Sequence, residues 1–325
     1  MKNKKILVIG KQNHLGWIEH TINGFLANHY EVEHFFTNKL SFKNTIVKGI
    51  YKTFTNKKQE TSLQIDELNK KIKLFKPDIA IFVGAFFVNI ELFSLCKEKN
   101  IITLGWVGDK FSIEKKEYSK YIDYLFVSDS AFINIAKQIG FENVDLLQFG
   151  YDHMLHTNKN LPRENTINFV GSYTNDRDLV FQHINNYKMK IYGSKWNKLS
   201  KVSPNWDISN KKISQQEVVN IYNSTLATLN VAQKNNIINM VNMRTFEAVA
   251  CGSLLINDYV KDIDLCFEPN KEILVYKNLN DLEEIIHRIS KDVKFAKDIA
   301  INGEKRLKKS NYTYKDRTKT IIEKL

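Results

Sequence analysis

The sequence predicts an α/β protein with two doubly wound parallel sheets, and two observations lead to this prediction. Short apolar segments alternate with helical patterns of ~10–15 residues in both halves of the 325-residue chain, which is typical of consecutive βαβ units. A hydrophobic content of 43% supplies enough apolar side chains for two cores. The polar junction near Gly150–Arg163, which contains Pro162, is a plausible hinge between the halves.

The first half is predicted to contain six strands. The first of them holds the apolar run Ile6–Ile9, which is too short for the core of a secretory signal, so we interpret it as a strand. Apolar residues recur at helical spacing over Leu63–Phe75, and Pro77 then turns the chain into a buried strand. The polar segment Lys43–Gln59 is predicted to be a mobile loop. The predicted strands are Lys5–Ile9, Tyr30–Phe36, Ile79–Val83, Ile101–Trp106, Tyr124–Val127 and Val144–Gln148, and the predicted helices are Trp17–Asn28, Leu63–Phe75 and Ser130–Ile139.

The second half repeats the alternation and predicts a second Rossmann-like unit. Its strands are Thr166–Val170, Met189–Tyr192, Thr225–Asn230, Ser253–Ile256 and Ile273–Tyr276, with helices from about Arg177, Ser214, Met243 and Asp281. Ligands of such sheets collect at the carboxyl ends of the strands, so the residues that follow each strand are candidate binding residues.

Composition narrows the classes of function. Three widely spaced cysteines and the lack of C-x-x-C exclude a disulfide framework and a zinc ribbon, and they predict a cytoplasmic protein. The longest apolar run, Ile79–Val88, is too short for the ~20 residues of a membrane span. The net charge of +12 is compatible with contact to an anionic membrane face or with a general lysine-rich bias. It comes without a run of five or six like charges, which argues against a nucleic-acid partner.

The stretch Asn239–Asp258 carries the strongest site signal. Phe246, Val249 and Ala250 recur at the spacing of one buried helical stripe, and Gly252 ends the helix before a buried strand. Asn242, Arg244 and Thr245 lie at the positive N-terminal end of this helix, where free N–H groups bind phosphate, and Glu247 follows them. The alternative is an amphipathic helix whose Glu and Arg are solvated.

Glycine-containing loops follow two other strands. Gly171, Ser172 and Arg177 come after one strand, and Gly193, Lys195 and Trp196 come after the next. Glycine at these positions lets a phosphate approach the backbone, although strands also end in glycine for turn reasons alone. In the first half, His14 and Asp109 occupy equivalent positions, where such residues are more often solvated or capping.

Competing motifs have less support. Asp262-Ile-Asp264 spells a D-x-D motif but falls in a helix-like segment that we predict to be at the surface. His153-x-x-His156 has no third candidate ligand nearby, which argues against zinc. The dinucleotide, P-loop and H-E-x-x-H signatures are absent from the sequence.

The second half resembles the CgeB-like group of GT-B glycosyltransferases. The matching segments occur in order and are Phe169–Ser172 with Arg177, Ile191–Trp196, Asn242–Glu247, Ala250–Gly252, Glu272–Tyr276, Ile299–Gly303 and Asn311–Tyr314 followed by Arg317. In the first half the resemblance is thinner and rests on Gly105–Asp109 and Phe149–Asp152.

The resemblance implies two Rossmann-like domains facing a cleft, with residues 1–150 on the acceptor side and 151–311 on the nucleotide-sugar side. It also implies that a final helix within 312–325 returns to the first domain, and that no metal or other cofactor is required. Glu247 matches the carboxylate that accepts from ribose hydroxyls, and Arg177 and Lys195 match a diphosphate site. Trp196 either flanks the base or lies in the core.

One departure concerns the chemistry at the sugar. Related retaining enzymes carry two glutamates separated by seven residues, whereas Asn239 stands eight positions before Glu247. The resemblance favours retention, in which the leaving phosphate assists the acceptor, but an inverting reaction would need a base such as Asp109 or His14. The expected function is sugar transfer to a hydroxyl of a glycan, lipid-linked or protein acceptor in surface-structure assembly. The alternatives are a non-catalytic nucleotide- or membrane-binding scaffold and a nucleotide-sugar epimerase.

Overall fold

The computed structural model describes residues 4–13, 16–39 and 57–325. The chain divides into two compact units. One unit comprises Met1–Gln148 with Tyr314–Leu325, and the other comprises Phe149–Thr313.

The first unit is built around a six-stranded parallel sheet with the order β2-β1-β3-β4-β5-β6. Its strands are β1 (Lys5–Gly10), β2 (Glu31–Phe36), β3 (Ile79–Val83), β4 (Ile102–Val107), β5 (Tyr124–Val127) and β6 (Val144–Leu146). Its first four helices are α1 (Trp17–Ala27), α2 (Lys57–Phe75), α3 (Ile90–Glu98) and α4 (Phe132–Gln138). Every residue of β3 is buried, as expected of a central strand that helices cover on both faces.

Two features of the first unit differ from the sequence prediction. Helix α3 was not predicted, because its nine residues follow shortly after the apolar run Ile79–Val88 and are too few for a clear helical period. Of the predicted loop Lys43–Gln59, residues 43–56 lie outside the described residues, and residues 57–59 belong to α2.

The second unit contains another six-stranded parallel sheet, with the order β12-β11-β10-β7-β8-β9. Its strands are β7 (Glu164–Val170), β8 (Met189–Tyr192), β9 (Trp206–Ser209), β10 (Thr225–Asn230), β11 (Leu254–Asp258) and β12 (Leu274–Tyr276). Its helices are α5 (Asn175–His183), α6 (Gln215–Ser224), α7 (Met243–Ala250), α8 (Ile263–Cys266), α9 (Leu279–Lys291) and α10 (Val293–Lys308). Strand β9 was not predicted, because a four-residue edge strand with alternating polar residues lacks a distinct apolar signal.

Helix boundaries in the second unit follow from capping chemistry. Ser214 and Glu217 form a capping box that begins α6, and the Thr174 hydroxyl accepts a hydrogen bond from the Arg177 backbone at the start of α5. Gly252 ends α7 in the left-handed conformation with φ 74°, as the sequence pattern predicts.

The final helix, α11 (Tyr314–Glu323), packs on α1 of the first unit. A Cβ atom on Gly24 would lie 2.4 Å from the Tyr314 carbonyl oxygen, so only glycine permits this approach. The Asn28 side-chain amide donates to the Lys315 carbonyl at 2.6 Å. The predicted return of the last helix to the first domain is therefore confirmed. Within the described ranges, none of the helices combines the length and apolar character that a membrane span requires.

Candidate functional site

Two glycine loops lie side by side at the carboxyl ends of β7 and β8. The Tyr173 backbone N–H donates to the Ser194 carbonyl at 2.9 Å, and the Ser172 and Ser194 hydroxyl oxygens are 2.9 Å apart. A Cβ atom on Gly193 would lie 2.1 Å from the Gly171 carbonyl oxygen, and Gly193 has φ 142°. Glycine at 193 is therefore required for this pairing, which leaves both loops close to the end of the sheet.

Arg177 lies in the first turn of α5 with a side chain that is almost entirely enclosed. The residue is 3% exposed, and its Nη1 donates to the Ser172 carbonyl at 2.6 Å. Its guanidinium carbon is 5.1 Å from the centre of the Phe169 ring. Among the described residues its Nε has no hydrogen-bond partner. Burial first, and then the positive charge of Arg244, lower the pKa of Arg177 to about 9.

Arg244 brings a second positive charge to the same end of the sheet from the first turn of α7. Within the part of the chain that the structure describes, no carboxylate forms an ion pair with Arg177 or Arg244. Two guanidinium groups without a carboxylate partner, one of them buried and with an unused donor, form a site that favours an anion.

A network of buried amides holds the N-terminal end of α7 against the sheet. The Asn230 and Asn242 side chains donate to each other at 3.1 and 3.0 Å. The Asn257 Oδ1 accepts from Asn230 at 2.7 Å and from the Thr245 hydroxyl at 3.3 Å. Asn242 therefore positions the helix, and its amide is already engaged with a neighbouring strand.

Glu247 lies in the second turn of α7 and is 7% exposed. Its Oε1 is 3.9 Å from His156 Nε2, and the other ring nitrogen of His156 is 3.2 Å from the Asp152 backbone nitrogen. Burial and the Glu247 charge raise the pKa of the enclosed Tyr222 phenol. The alternative of a solvated glutamate on an amphipathic helix is wrong, because only Arg244 in α7 is not fully buried.

The remaining second-unit candidates have different surroundings. Lys195 is exposed and has φ 69°, a strained backbone for a residue other than glycine. Trp196 is 1% exposed, its Nε1 donates to the Gly171 carbonyl at 2.9 Å, and its ring packs against Phe169. It is therefore a core residue, which corrects its assignment beside the base. Asn239 is half-buried, and its carbonyl accepts from the Asp262 backbone at 3.0 Å.

The two first-unit candidates differ in what can be said of them. Asp109 follows β4, is half-buried and forms no described hydrogen bond or ion pair, and burial raises the pKa of its carboxyl group. His14 lies outside the described residues.

The structure also locates the two competing motifs. Asp262 is 1% exposed and precedes α8, whereas Asp264 is exposed, so the prediction of a surface pair is wrong for Asp262. His156 is buried beside Glu247, and His153 is half-buried.

Sequence reasoning did not assign a role to two residues at this end of the second sheet, Tyr276 and Asp258. The Tyr276 hydroxyl donates to the Asn230 carbonyl at 3.3 Å. Asp258 is 6% exposed, 3.4 Å from Lys234 Nζ, and burial raises the pKa of its carboxyl group. Both Tyr276 and Asp258 end a strand, which is the signal that could have identified them.

Comparison with known proteins finds one family match in the sequence and several similar folds. Residues 177–323, less than half of the chain, match a family described as glycosyl transferase-like. Among curated proteins no significant sequence match is found. Sucrose-phosphate synthase of Thermosynechococcus elongatus superposes with a TM-score of 0.72 at 11% identity, and the match covers 98% of both chains.

Two further solved structures agree over nearly the whole chain. A glycosyltransferase from Rickettsia africae ESF-5 gives a TM-score of 0.69 at 13% identity and covers 99% of this chain and 98% of its own. HepE of Anabaena in complex with UDP-glucose gives 0.68 at 10% identity and covers 98% of both chains. This chain has the GT-B fold. The second unit corresponds to the C-terminal Rossmann-like domain of the GT-B fold and contains most of the family match. Arg177, Arg244 and Glu247 all lie in this unit.

Proposed function

We propose that this GT-B protein is a glycosyltransferase that moves a sugar from a nucleoside-diphosphate sugar to an acceptor hydroxyl group. The observation that carries the proposal is the buried Arg177 guanidinium with an unused Nε–H, beside Arg244 and without a carboxylate partner. A diphosphate supplies the missing negative charge. The family match and the UDP-glucose complex of HepE support the same class of donor.

The proposed roles follow from the positions of the side chains. Arg177 and Arg244 hold the diphosphate, and Lys195 contributes a third, exposed cation at the neighbouring loop. Gly171 and Gly193 let the two loops pair closely, and the donor is proposed to lie against this paired backbone, with Ser172 beside it. These positive charges offset the charge that develops on the leaving diphosphate, and we propose that no metal cofactor is required.

Glu247 is the proposed ribose ligand. Its carboxylate accepts from two vicinal hydroxyl groups, and its burial among protein atoms gives those hydrogen bonds a water-poor environment. His156 keeps a ring nitrogen 3.9 Å from the carboxylate and helps to fix its orientation. Asn242 and Asn239 border the same segment and act on the donor through the placement of α7 and the Asp262 loop.

The reaction breaks the bond between the anomeric carbon and the diphosphate oxygen and forms a bond from that carbon to the acceptor oxygen. The acceptor proton passes either to the leaving phosphate, in the retaining course that we favour, or to Asp109 in an inverting course. We further propose that the protein is CgeB-like and cytoplasmic, and that it acts on a glycan, lipid-linked or protein acceptor in surface-structure assembly.

The donor site is tested by calorimetric titration of the full chain with UDP and other nucleoside diphosphates. We expect Glu247→Ala to weaken binding roughly 10–100-fold, because a charged hydrogen-bond acceptor to the ribose is lost. Glu284→Ala, on the exposed face of α9, is the matched control and should bind like the parent protein. Unchanged affinity of the Glu247 variant would remove the ribose assignment.

Turnover distinguishes the three functional alternatives. Incubation with labelled nucleotide sugars and water should release free sugar slowly if the protein is a transferase. An isomerised sugar would identify an epimerase, whereas binding without any turnover, across all donors, would identify a scaffold.

A further inference from the structure

The positive charge of the second unit is concentrated in one segment. Residues 188–212 contain seven lysines and one aspartate, a net charge of +6. The rest of the unit contains 16 basic and 17 acidic residues, a net charge of −1. A general lysine-rich composition does not produce this asymmetry within one unit, so the segment is a distinct electrostatic feature.

Most of these lysines are neither buried nor neutralised. Lys190 pairs with Glu164 at 2.7 Å, and Lys211 lies 3.7 Å from Glu217. The other five have exposed side chains, and none of them forms an ion pair with any carboxylate of the described chain. These five are Lys188, Lys195, Lys198, Lys201 and Lys212.

Four lysines lie on two neighbouring loops at the carboxyl end of the β8–β9 edge, namely Lys195, Lys198, Lys211 and Lys212. The Lys198 backbone N–H donates to the Lys195 carbonyl at 3.2 Å. The Trp196 backbone N–H donates to Asn210 Oδ1 at 2.9 Å, which places the loop that carries Lys211 and Lys212 beside them. Lys198, Lys211 and Lys212, together with Lys201, are called the lysine corner below, and the proposed donor ligand Lys195 lies next to it.

Two exposed aliphatic side chains accompany the lysine corner. Leu179 on α5 is 68% exposed, and Val202 is 59% exposed. Hydrogen bonds join their segments, since Asp178 accepts from the Ser200 hydroxyl at 3.0 Å and Gln182 donates to the Lys201 carbonyl at 2.8 Å. Lysines bordered by exposed aliphatic groups match a lipid interface, where head groups bind the cations and the aliphatic groups enter the acyl boundary.

We propose that the lysine corner, with Leu179 and Val202, binds the surface of an anionic lipid bilayer. A single-stranded nucleic acid is disfavoured, because it requires exposed aromatic rings for base stacking and the two tryptophans of this segment are 1% and 8% exposed. The inference goes beyond the proposed function, since lipid contact requires no nucleotide sugar. Gly193 lies two positions from Lys195, so the contact holds the proposed donor loops beside the membrane and favours a lipid-linked acceptor.

Vesicle co-sedimentation of the full chain tests the proposal. The protein should bind phosphatidylcholine vesicles that contain phosphatidylglycerol, should not bind phosphatidylcholine alone, and should release as salt rises. The double variant Lys198→Glu/Lys201→Glu should lower the partition coefficient at least about tenfold. Lys294→Glu/Lys297→Glu on exposed positions of α10 changes the net charge equally and should retain binding.

Further outcomes decide between sources of anionic charge. Leu179→Ser/Val202→Ser should weaken vesicle binding, whereas no effect of these changes together with equal displacement by polyphosphate would overturn the lipid assignment in favour of a soluble polyanion. Equal loss in both lysine pairs would overturn it in favour of net charge alone. UDP affinity measured on Lys198→Glu/Lys201→Glu should remain that of the parent, which separates this inference from the proposed donor site.

Discussion

Two of the candidate site residues, Arg177 and Asp109, are enclosed wholly or partly without an ion-pair partner in the described part of the chain. Arg177 has a lowered pKa because it is enclosed and because Arg244 adds positive charge nearby, and Asp109 has a raised pKa because it is partly enclosed. Each group is less stable in its charged form than it would be in water. Arg177 gains from an incoming anion, and Asp109 gains from an incoming proton, which suits a proton acceptor in the inverting course.

Asp109→Asn tests the role of this carboxyl group at two levels. Because the pKa of Asp109 is raised in the folded protein, the unfolded state loses this proton first as the pH rises. The free energy of unfolding of the wild type is therefore highest below pH 3.8, the ordinary pKa, and decreases as the pH rises through the raised pKa of the folded state. The variant should therefore be more stable than wild type at pH 7, and urea unfolding should show this difference disappearing at low pH. If Asp109 is the base, transfer should fall roughly 10²–10⁴-fold in the variant. Unchanged kcat/KM would exclude that role.

At the scale of elements, the paired loops after β7 and β8 depend on close backbone contact. Gly193 has no room for a side chain against the Gly171 carbonyl, and Trp196 donates to that same carbonyl from the core. The loops are thus supported by the packed rings of Trp196 and Phe169. A rigid scaffold of this kind positions backbone donors without reorganisation on binding.

Gly193→Ala should disrupt this pairing. The new Cβ would overlap the Gly171 oxygen and would also force an unfavourable φ, so we expect a loss of about 3 kcal/mol or more in the free energy of unfolding. Gly140→Ala is the control, because its φ is 100° but its Cβ would meet only Ser119 Oγ at 3.4 Å. It should lose about 1–2 kcal/mol. Equal losses in urea titrations would show that steric overlap is unimportant.

At the scale of the whole molecule, the chain assigns its last helix to its first unit. Helix α11 rests on α1 through the Gly24 contact, and Lys324 pairs with Asp145 at 2.6 Å. The first unit therefore includes Tyr314–Leu325, and its stability depends on a segment far away in sequence. The second unit contains the candidate donor residues within one continuous stretch, Phe149–Thr313.

Gly24→Val should lower the stability of the first unit without changing the donor residues of the second unit. The added side chain meets the Tyr314 backbone, so α11 should be displaced and the first unit should lose about 1–3 kcal/mol of stability. Hydrogen exchange of the α11 amides should accelerate, whereas UDP affinity should stay within a few-fold of the parent value. Leu26→Val, at a half-exposed site on the same helix, is the control. Protected α11 amides in the Gly24 variant would contradict this packing.

Local patterns in the sequence determined the elements and the place of the candidate site. Apolar periodicity predicted eleven of the twelve strands to within a few residues, since the period of burial is written directly into neighbouring positions. The glycines after β7 and β8 were recognisable because they directly follow predicted strands, and the helical stripe around Glu247 was recognisable from its spacing. The edge strand β9 was missed because four residues are too few to establish a period.

Only the tertiary structure decided which distant residues meet. Arg177 and Arg244 come together because β10 lies next to β7 in the sheet order, and that order is not encoded in any local pattern. The same holds for His156 beside Glu247 and for the lysine corner, where a hydrogen bond from Trp196 to Asn210 joins two loops. Trp196 shows what the sequence alone cannot decide. An aromatic residue in a glycine loop has the same sequence context whether it faces a ligand or the core, and only the structure shows that Trp196 is buried.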